Sequence, residues 1–431
     1  MTRKMKDSGV EWIGEIPENW ETRRLKNGLR KKKVIIKKYD NQPILSLTMN
    51  GVSLRDLVNP KGKMPTTFDG YQEITPGNII ECLFDIDVTP RCVGIARDYG
   101  LTSPAYTQFE VINDFDTDFI YYYLLMLDND KILVPISKSL RNTITSDEFL
   151  ILPFSFPPVE EQRRISNRIS TETARINSII SKTQQSIDEL KKYKQALITE
   201  TVTKGLDKNV EMKDSGIDIL PSIPTSWKIQ KIKNLFSMNK GLSITKENLE
   251  DNGIPVISYG EIHSKYGFNF DPTKDFVRNV PESFVQSDKQ AILHKGDFVF
   301  ADTSEDIEGS GNFTCFTGNV TTFAGYHTVI LKAKANFNHQ YVAYLFDSKI
   351  FRSQIQKNVQ GIKVFSITQR ILKDQWIWLP PIEEQENIVN FLDKKRIIIN
   401  QMIDNKIAEL MELESYKKAL IYEYVTGKKE A

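Results

Sequence analysis

The chain contains two copies of one sequence plan, and this repetition restricts its possible folds more than any other feature. Residues 5–27 read MKDSGVEWIGEIPENWETRRLKN and residues 212–234 read MKDSGIDILPSIPTSWKIQKIKN, an offset of 212 − 5 = 207 residues. Residues 156–162 read FPPVEEQ and residues 379–385 read LPPIEEQ, an offset of 379 − 156 = 223 residues. Each copy therefore has an arm, a globular region, a PPxEEQ junction and a long helix.

Shorter matches follow the same order inside the globular regions. Pro43-Ile44-Leu45-Ser46 aligns with Pro255-Val256-Ile257-Ser258 at an offset of 212, and residues 76–80 align with residues 295–299 at an offset of 219. The growing offset indicates small insertions in loops of the second region. Short β-branched and aromatic stretches separated by Gly, Pro, Asn and Asp predict strands and turns in both regions. We expect one helix late in each region, near Asp118–Leu127 and His339–Phe351.

The clearest secondary structure follows each PPxEEQ junction. Residues 160–204 and 383–426 contain neither proline nor glycine, so each predicts a helix of roughly 65 Å at 1.5 Å per residue. The proline pair suits a helix start, and the two glutamates after it favour the positive end of the helix dipole. Gly205 and Gly427 stand where helices commonly end.

A narrow apolar stripe on each long helix indicates a coiled-coil seam. Neither helix can cover its stripe alone, so we expect the two to pack antiparallel about a pseudo-two-fold axis. Ile179 and Ile403 lie beside the stripe, and either a wider seam or a helix from a partner protein could cover them. The stripe consists of Ile165, Ile169, Ile176, Ile180, Ile187, Leu190 and Leu197 in the first helix and Ile388, Leu392, Ile399, Met402, Leu410, Leu413 and Leu420 in the second.

Composition fits a globular protein of two to three domains. The longest apolar runs are too short for a membrane span and the chain opens without a secretion signal, so we expect a cytoplasmic protein. Cys82, Cys92 and Cys315 lack metal-ligand spacing and are predicted to fill the core. The four histidines suggest no metal site. Trp20 and Trp227, which follow Ile-Pro in the two arms, are predicted to anchor each arm in its own domain.

Charge gives a mixed signal about nucleic acid. The net charge is only +1, but residues 22–38 carry nine Lys and Arg and no acid. This segment is either a solvated basic face or a phosphate-binding surface, and the sequence alone leaves both open.

Sequence motifs for catalysis are missing. There is no GxxxxGK[ST] nucleotide-binding loop and no [DNS]PP[YF] tetrapeptide of amino-methyltransferases, because both Pro-Pro pairs are followed by aliphatic residues and Glu. Gly309-Ser310-Gly311-Asn312 is interpreted as an ordinary turn. We therefore predict a chain with no catalytic residues and no cofactor or metal of its own.

With its two PPxEEQ junctions, its two MKDSG…IP…W arms and its two long helices, the chain resembles the specificity subunit of type I restriction-modification enzymes. The resemblance implies an α/β (α+β) fold in which two globular target-recognition domains are joined by two long antiparallel helices forming a coiled coil, with a pseudo-two-fold internal repeat. The implied boundaries are 1–155 and 206–378 for the domains with their arms, and 156–205 and 379–431 for the helices.

The resemblance also implies function and partners. Each recognition domain would read one half of a bipartite double-stranded DNA site, and the helices would dock two methyltransferase (modification) subunits, with restriction subunits joining the complex. S-adenosylmethionine, ATP and Mg²⁺ would belong to those partners. Two other hypotheses remain, a self-sufficient DNA methyltransferase and a two-headed coiled-coil scaffold that binds proteins.

Polar loop residues are the candidates for DNA contact, because base edges are read by such side chains. For any single residue a solvated loop side chain is the alternative. The candidates are Thr48, Asn50, Arg55, Arg141 and Asn142 in the first domain and His263, Lys265, Gln360 and Lys363 in the second.

Overall fold

The computed structural model describes residues 3–60, 62, 64–113, 115–137, 141–359, 361 and 364–431. Contacts divide the chain into two compact units, one formed by Met1–Gln184 with Ile407–Ala431 and the other by Gln185–Lys406. We call these unit 1 and unit 2. The division falls inside both long helices, so that each unit holds one globular region and a segment of each helix. Each unit mixes strands and helices, as the sequence predicts for the fold class.

Unit 1 is built around a four-stranded antiparallel sheet in the order Leu29–Lys32, Thr107–Val111, Ile79–Glu81 and Val93–Ile95. Its core joins the sheet to the helix Thr117–Asn129, as predicted, and to a short helix Ser146–Leu150. The remaining strands form two-stranded antiparallel pairs: Met5–Asp7 with Glu15–Pro17, Glu21–Arg24 with Pro153–Phe156, Leu45–Thr48 with Gly51–Leu54, and Gln72–Ile74 with Gly100–Thr102.

Unit 2 contains a five-stranded sheet in the order Phe236–Lys240, Thr328–Ala333, Phe298–Ala301, Phe313–Phe316 and Asn269–Phe270. A second sheet has the order Arg278–Val280, Ile254–Ile257 and Phe323–Ala324. The paired strands are Met212–Ile217 with Leu220–Pro224, Lys228–Lys231 with Trp376–Leu379, and Thr303–Ser304 with Phe365–Ser366. The short helices are Ile232–Leu235, Tyr259–Ser264, Phe284–Ser287, His339–Asp347, Lys349–Gln356 and Gln369–Lys373.

The helix predicted over His339–Phe351 is in fact two helices. Ser348 interrupts it with an extended backbone, φ −63° and ψ 143°. Its side-chain oxygen then accepts a hydrogen bond from the Phe351 amide at 3.3 Å and starts the second helix. Serine at this position offers the backbone an alternative to helical bonding, which the apolar pattern does not reveal.

The long helices run over Val159–Lys204 and Ile382–Val425, close to the predicted bounds. Each begins where a strand ends at a proline pair. Gly205 and Gly427 follow the helix ends with φ of +75° and +73°, a conformation that L-residues with a side chain rarely adopt. Among the described residues, no helix combines the length with the continuous apolar character that a membrane span requires.

The long helices meet inside each unit. In unit 1 the start of the first helix and the end of the second share one core, and Arg168 donates a hydrogen bond to the Tyr424 hydroxyl at 3.3 Å. Lys417 contacts Asn177 in the same unit, so these two segments run antiparallel. In unit 2 the end of the first helix and the start of the second share another core.

Two positions of the predicted seam differ from the structure. Met402, predicted inside the stripe, is 46% exposed, whereas Ile403, predicted beside it, is 7% exposed. Ile399 is buried as predicted, and Ile403 lies four residues later on the same helical face. The Met402 prediction assumed a spacing of three at a point where the buried face advances by four. Ile179 is 38% exposed, as expected of a position beside the seam.

Both arms fold the same way and are anchored by their tryptophans. Trp20 and Trp227 are fully buried, which confirms the anchoring prediction. Trp20 stacks edge-on against Phe119 in unit 1, with ring centroids 6.3 Å apart, and Trp227 packs likewise against Tyr341 in unit 2, at 6.5 Å. The turn after each MKD sequence has a glycine at φ +69° in both arms.

Candidate nucleic-acid interface

In unit 1 the glutamine of the PPxEEQ junction fixes the first long helix to the globular region. Gln162 is 2% exposed. Its amide nitrogen donates to the Pro157 carbonyl at 2.9 Å, and its amide oxygen accepts from the Asp116 backbone amide at 2.9 Å. Asp116 caps the helix Thr117–Asn129 by accepting from the Phe119 amide. One buried side chain therefore ties the junction to the start of the domain helix.

Unit 2 repeats this arrangement. Gln385, 3% exposed, donates to the Pro380 carbonyl at 2.8 Å and accepts from the Asn338 backbone amide at 2.8 Å. Asn338 caps the helix His339–Asp347. Because a buried amide must satisfy its hydrogen bonds, this contact explains why glutamine ends both junction motifs. It sets the position of the globular region on its helix in each unit.

The basic segment 22–38 lies on the surface of unit 1. Residues 29–32 form an edge strand of the four-stranded sheet. Arg30 pairs with Glu110 at 2.6 Å, while Lys31 donates to the Ser146 hydroxyl at 2.8 Å. Within the described residues, five further exposed cations of the segment form no ion pair and are available to solvent or to phosphate: Arg24, Lys26, Lys33, Lys37 and Lys38.

Three predicted contact residues of the first domain lie on or beside one hairpin. Thr48 ends its first strand and donates from its hydroxyl to the Gly51 carbonyl at 2.9 Å. Asn50 stands exposed at the tip. Arg55 follows the hairpin, half-buried, with its amide bonded to the Ile44 carbonyl at 2.8 Å. Of the three, Asn50 is the most accessible.

The other two predicted residues of this domain occupy a separate loop. Arg141, whose side chain is 78% exposed, pairs with Asp85 at 2.9 Å. Asn142 has φ +44° and accepts a hydrogen bond from the Ser137 hydroxyl at 3.0 Å. Positive φ is tolerated by Asn better than by most residues, so Asn142 has a local structural role as well.

In the second domain His263 and Lys265 stand at the end of the helix Tyr259–Ser264. His263 lies 2.8 Å from the Thr303 carbonyl through one ring nitrogen and 2.8 Å from the Asn312 amide through the other. With both nitrogens engaged, its ring is held in place by the domain. Lys265 is exposed, with its ammonium over the Phe276 ring. Gln360 and Lys363 lie outside the described residues.

Sequence reasoning missed four polar residues of the long helices that line clefts beside loops with predicted contact residues. A cleft of about 480 Å³ in unit 1 is lined by Asn177 and Lys417 together with Asn50. A cleft of about 420 Å³ in unit 2 is lined by Lys194 and Asn400 together with His263. The sequence signal that could have found them is that the same residue type recurs 223 positions later, Asn400 after Asn177 and Lys417 after Lys194.

The cysteines are buried and unpaired. Burial raises the pKa of the Cys92 thiol to about 12, against the influence of nearby Lys131, so the sulfur stays protonated as a core group. Among the described residues no cluster of three or more His, Cys, Asp or Glu could hold a metal ion.

Comparison with known proteins identifies the family. The family model for the type I restriction modification DNA specificity domain matches residues 94–189 and 224–412. The specificity subunit of the type I restriction enzyme MjaVIII from Methanocaldococcus jannaschii is 24% identical over 332 residues, covering 76% of this chain and 74% of the relative. The putative MjaX specificity subunit of the same organism is also 24% identical, covering 96% of this chain and 95% of the relative.

A solved structure has the same fold. The chain from a study of complex assembly and conformational transition of the type I R-M system aligns with a TM-score of 0.70 and 15% identity, covering 96% of this chain and 99% of that one. The two family-model matches fall one in each copy of the repeat. The chain therefore belongs to the type I restriction-modification specificity family, whose members are DNA-recognition subunits without catalytic activity of their own.

Proposed function

We propose that this subunit reads a bipartite double-stranded DNA site, one half with the globular region of unit 1 and the other with that of unit 2. The observation that carries this proposal is the repeated anchor. Gln162 and Gln385 make the same pair of buried hydrogen bonds, to equivalent partners, in the two units. Two domains mounted identically on equivalent helices are suited to present two reading surfaces.

The long helices then act as the spacer. Their antiparallel contact in unit 1 and the shared helix core of unit 2 support an antiparallel coiled coil with a pseudo-two-fold axis. At 1.5 Å per residue each helix spans roughly 65 Å, about two turns of B-DNA. Such a spacer leaves an unread gap between the half-sites.

We propose DNA contact by the exposed polar groups of the recognition loops. Asn50, Arg141 and Lys265 are accessible. Thr48, Arg55, Asn142 and His263 would act from their half-buried positions, and Gln360 and Lys363 complete the candidates of the second domain. The cations of segment 22–38 suit phosphates, which position a protein on DNA without reading sequence.

The proposed partners are two methyltransferase subunits, joined by restriction subunits. Exposed apolar side chains on the long helices support docking of partner helices, since exposed apolar patches mark interaction sites. In unit 2 they include Ile397, Ile398 and Met402, and in unit 1 Ile179, Ile407 and Met411. S-adenosylmethionine, ATP and Mg²⁺ would be bound by the partners. The reduced cysteines support a cytoplasmic complex.

Sequencing of methylated adenines in cells with and without this gene tests the proposal. We expect one motif made of two short half-sites and a fixed gap to lose its methylation when the gene is removed. A second measurement is affinity purification of the chain from its own cell. Recovery of no methyltransferase, or methylation that does not depend on the gene, would contradict the proposed function.

A further inference from the structure

The two clefts beside the recognition loops are equivalent. In unit 1 the hairpin tip at Met49 and Asn50 overhangs the long-helix segments. In unit 2 the helix Tyr259–Ser264 and residue Tyr266 take the corresponding place. The Tyr122 ring lines the first cleft and the Tyr344 ring lines the second, again at equivalent positions of the two domain helices.

A lysine–asparagine pair links the two long helices in each cleft. Lys194 donates to the Asn400 side chain at 3.0 Å in unit 2, and Lys417 donates to the Asn177 side chain at 3.1 Å in unit 1. Lys417 is the repeat equivalent of Lys194 and Asn400 that of Asn177, since both differ by 223 residues. The contact is thus built twice, with the lysine on the first helix in one unit and on the second helix in the other.

Neighbouring polar positions on the same helices have changed their charge between the copies. Thr173 corresponds to Arg396 and Lys191 to Glu414 at the same offset. A hydrogen bond between two uncharged side chains would be enough to link the helices, since such a bond already contributes about 1 kcal/mol. Retention of a cation at both positions points to a role for the charge itself.

The cleft of unit 2 has an excess of positive charge. Lys194, Arg352 and Arg396 line it together with one acid, Asp347. The pKa of Asp347 is raised overall because burial outweighs the opposite effect of the nearby cations Arg352, Lys194 and Arg396. Burial lowers the pKa of Lys194, so its ammonium lacks part of its hydration and gains from an added anion.

The cleft of unit 1 is less basic. Lys417 pairs with Glu414 at 3.0 Å, and Arg91 pairs with Asp128 at 2.8 Å. The Lys417 side chain is still 24% exposed. An ammonium carries three donors, so hydrogen bonds to Asn177 and Glu414 leave one for a further acceptor.

We propose that Lys194 and Lys417 each bind a phosphate of the DNA backbone, with Asn400 and Asn177 orienting their ammonium groups. This inference rests on the proposed function and extends it from the recognition loops to the long helices. A chain with a net charge of only +1 needs local cationic sites to hold DNA. These two sites lie beside the candidate contact residues Asn50 and His263.

The test is the salt dependence of DNA binding by the full chain in complex with its methyltransferase partner. Affinity for a duplex carrying the recognition site is measured between about 50 and 200 mM salt. We expect Lys194→Gln and Lys417→Gln each to reduce the slope of log affinity against log salt by about 0.9, and the double variant by about twice that. The ratio of affinities for the correct and an altered half-site should not change.

Matched variants separate phosphate binding from helix bridging. Lys192→Gln and Lys418→Gln remove exposed lysines of the same helices and should leave the slope unchanged. Lys194→Arg keeps the charge and should keep the slope. Asn400→Ala removes the side chain that orients the Lys194 ammonium but keeps the cation, so it should reduce the slope by clearly less than Lys194→Gln does.

Two results would overturn the inference. One is an unchanged slope in both lysine-to-glutamine variants, with sequence preference intact. The other is an equal loss in Asn400→Ala and Lys194→Gln, which would assign the pair to helix bridging. Loss of all sequence preference by the unaltered complex would instead contradict the proposed function, so the two failures are distinguishable.

Discussion

Gln385 accepts a hydrogen bond from the backbone amide of Asn338 across 47 residues of sequence, at 2.8 Å, inside the core of unit 2. The same side chain donates to the Pro380 carbonyl. Gln385→Met keeps the volume but leaves both backbone groups without partners. We expect the free energy of unfolding of unit 2 to fall by about 2–3 kcal/mol, measured by hydrogen exchange of the helix His339–Asp347.

Gln401→Met is the matched control, because Gln401 is exposed on the long helix that also carries Gln385. It should change the hydrogen exchange of the helix His339–Asp347 by much less than Gln385→Met does. Equal effects of the two substitutions would show that the buried hydrogen bonds do not hold the domain helix to the junction.

Glu81 offers a test through pH. Its carboxyl is buried in the four-stranded sheet, and burial, with the nearby Asp128 carboxylate, raises its pKa well above the usual range. The folded chain therefore holds a proton that the unfolded chain releases above its ordinary pKa, so this group costs stability as pH rises. Glu81→Gln removes that cost. We expect the variant to be more stable than the wild type at pH 8, by on the order of 2 kcal/mol, and similar to it near pH 4.5.

Denaturant unfolding at both pH values measures this difference. Asp87→Asn serves as the control, since it removes an exposed carboxylate six residues away, and it should give no comparable gain at pH 8. A Glu81→Gln variant that gains equally at both pH values, or loses stability at pH 8, would contradict the account of a buried carboxyl kept protonated by its surroundings.

The two arm tryptophans differ in their hydrogen bonding, so replacing them should cost different amounts of stability. The Trp227 indole nitrogen donates to the Glu384 carboxylate at 3.1 Å, whereas the Trp20 indole nitrogen, within the described structure, has no partner. Phenylalanine at either position loses similar ring volume, but only Trp227→Phe loses a hydrogen bond to a charged group. We expect it to cost about 1–2 kcal/mol more than Trp20→Phe.

Hydrogen exchange in the two arm hairpins reports each effect in its own unit. Trp227→Phe combined with Glu384→Ala, which removes the acceptor, gives the coupling between the partners. Equal costs for the two phenylalanine variants, together with no coupling to Glu384, would be inconsistent with this hydrogen bond.

The spacer proposal predicts the result of lengthening the helices. Residues 184 and 407 are equivalent at the 223 offset. Seven extra helical residues after each of them would lengthen both helices by roughly 10 Å, or about three base pairs of B-DNA. Sequencing of the methylated motif should show a longer gap with both half-sites unchanged. An insertion in only one helix makes the two helices unequal in length and should reduce methylation. An unchanged gap after insertion in both helices would contradict the spacer role.

Features that depend on residues close together in the sequence, such as the ends of the long helices, were predicted correctly. The proline pairs and the glycines at 205 and 427 gave both helix ends to within a residue or two, because capping and backbone restriction act within one turn. The burial of Trp20 and Trp227 followed from their apolar setting. Met402 was placed in the seam wrongly because a narrow stripe does not reveal where spacing changes from three to four.

Contacts between residues far apart in the chain could not be predicted from the sequence. Gln162 bonds to Asp116, 46 residues away, and Lys194 bonds to Asn400, 206 residues away. The sequence could only show that these residues recur in both copies. Candidate DNA contacts were chosen by residue type in loops, and that choice could not foresee that both ring nitrogens of His263 are engaged within the domain.

Exchange of one reading domain tests the central claim most directly. Residues 28–150 are replaced by the same region of a relative that methylates a different motif, and the methylated motif is sequenced in cells that carry the hybrid subunit. The two-reader account predicts that one half-site changes to that of the relative while the other half-site and the gap stay the same. A change in both half-sites, or in neither, would contradict it.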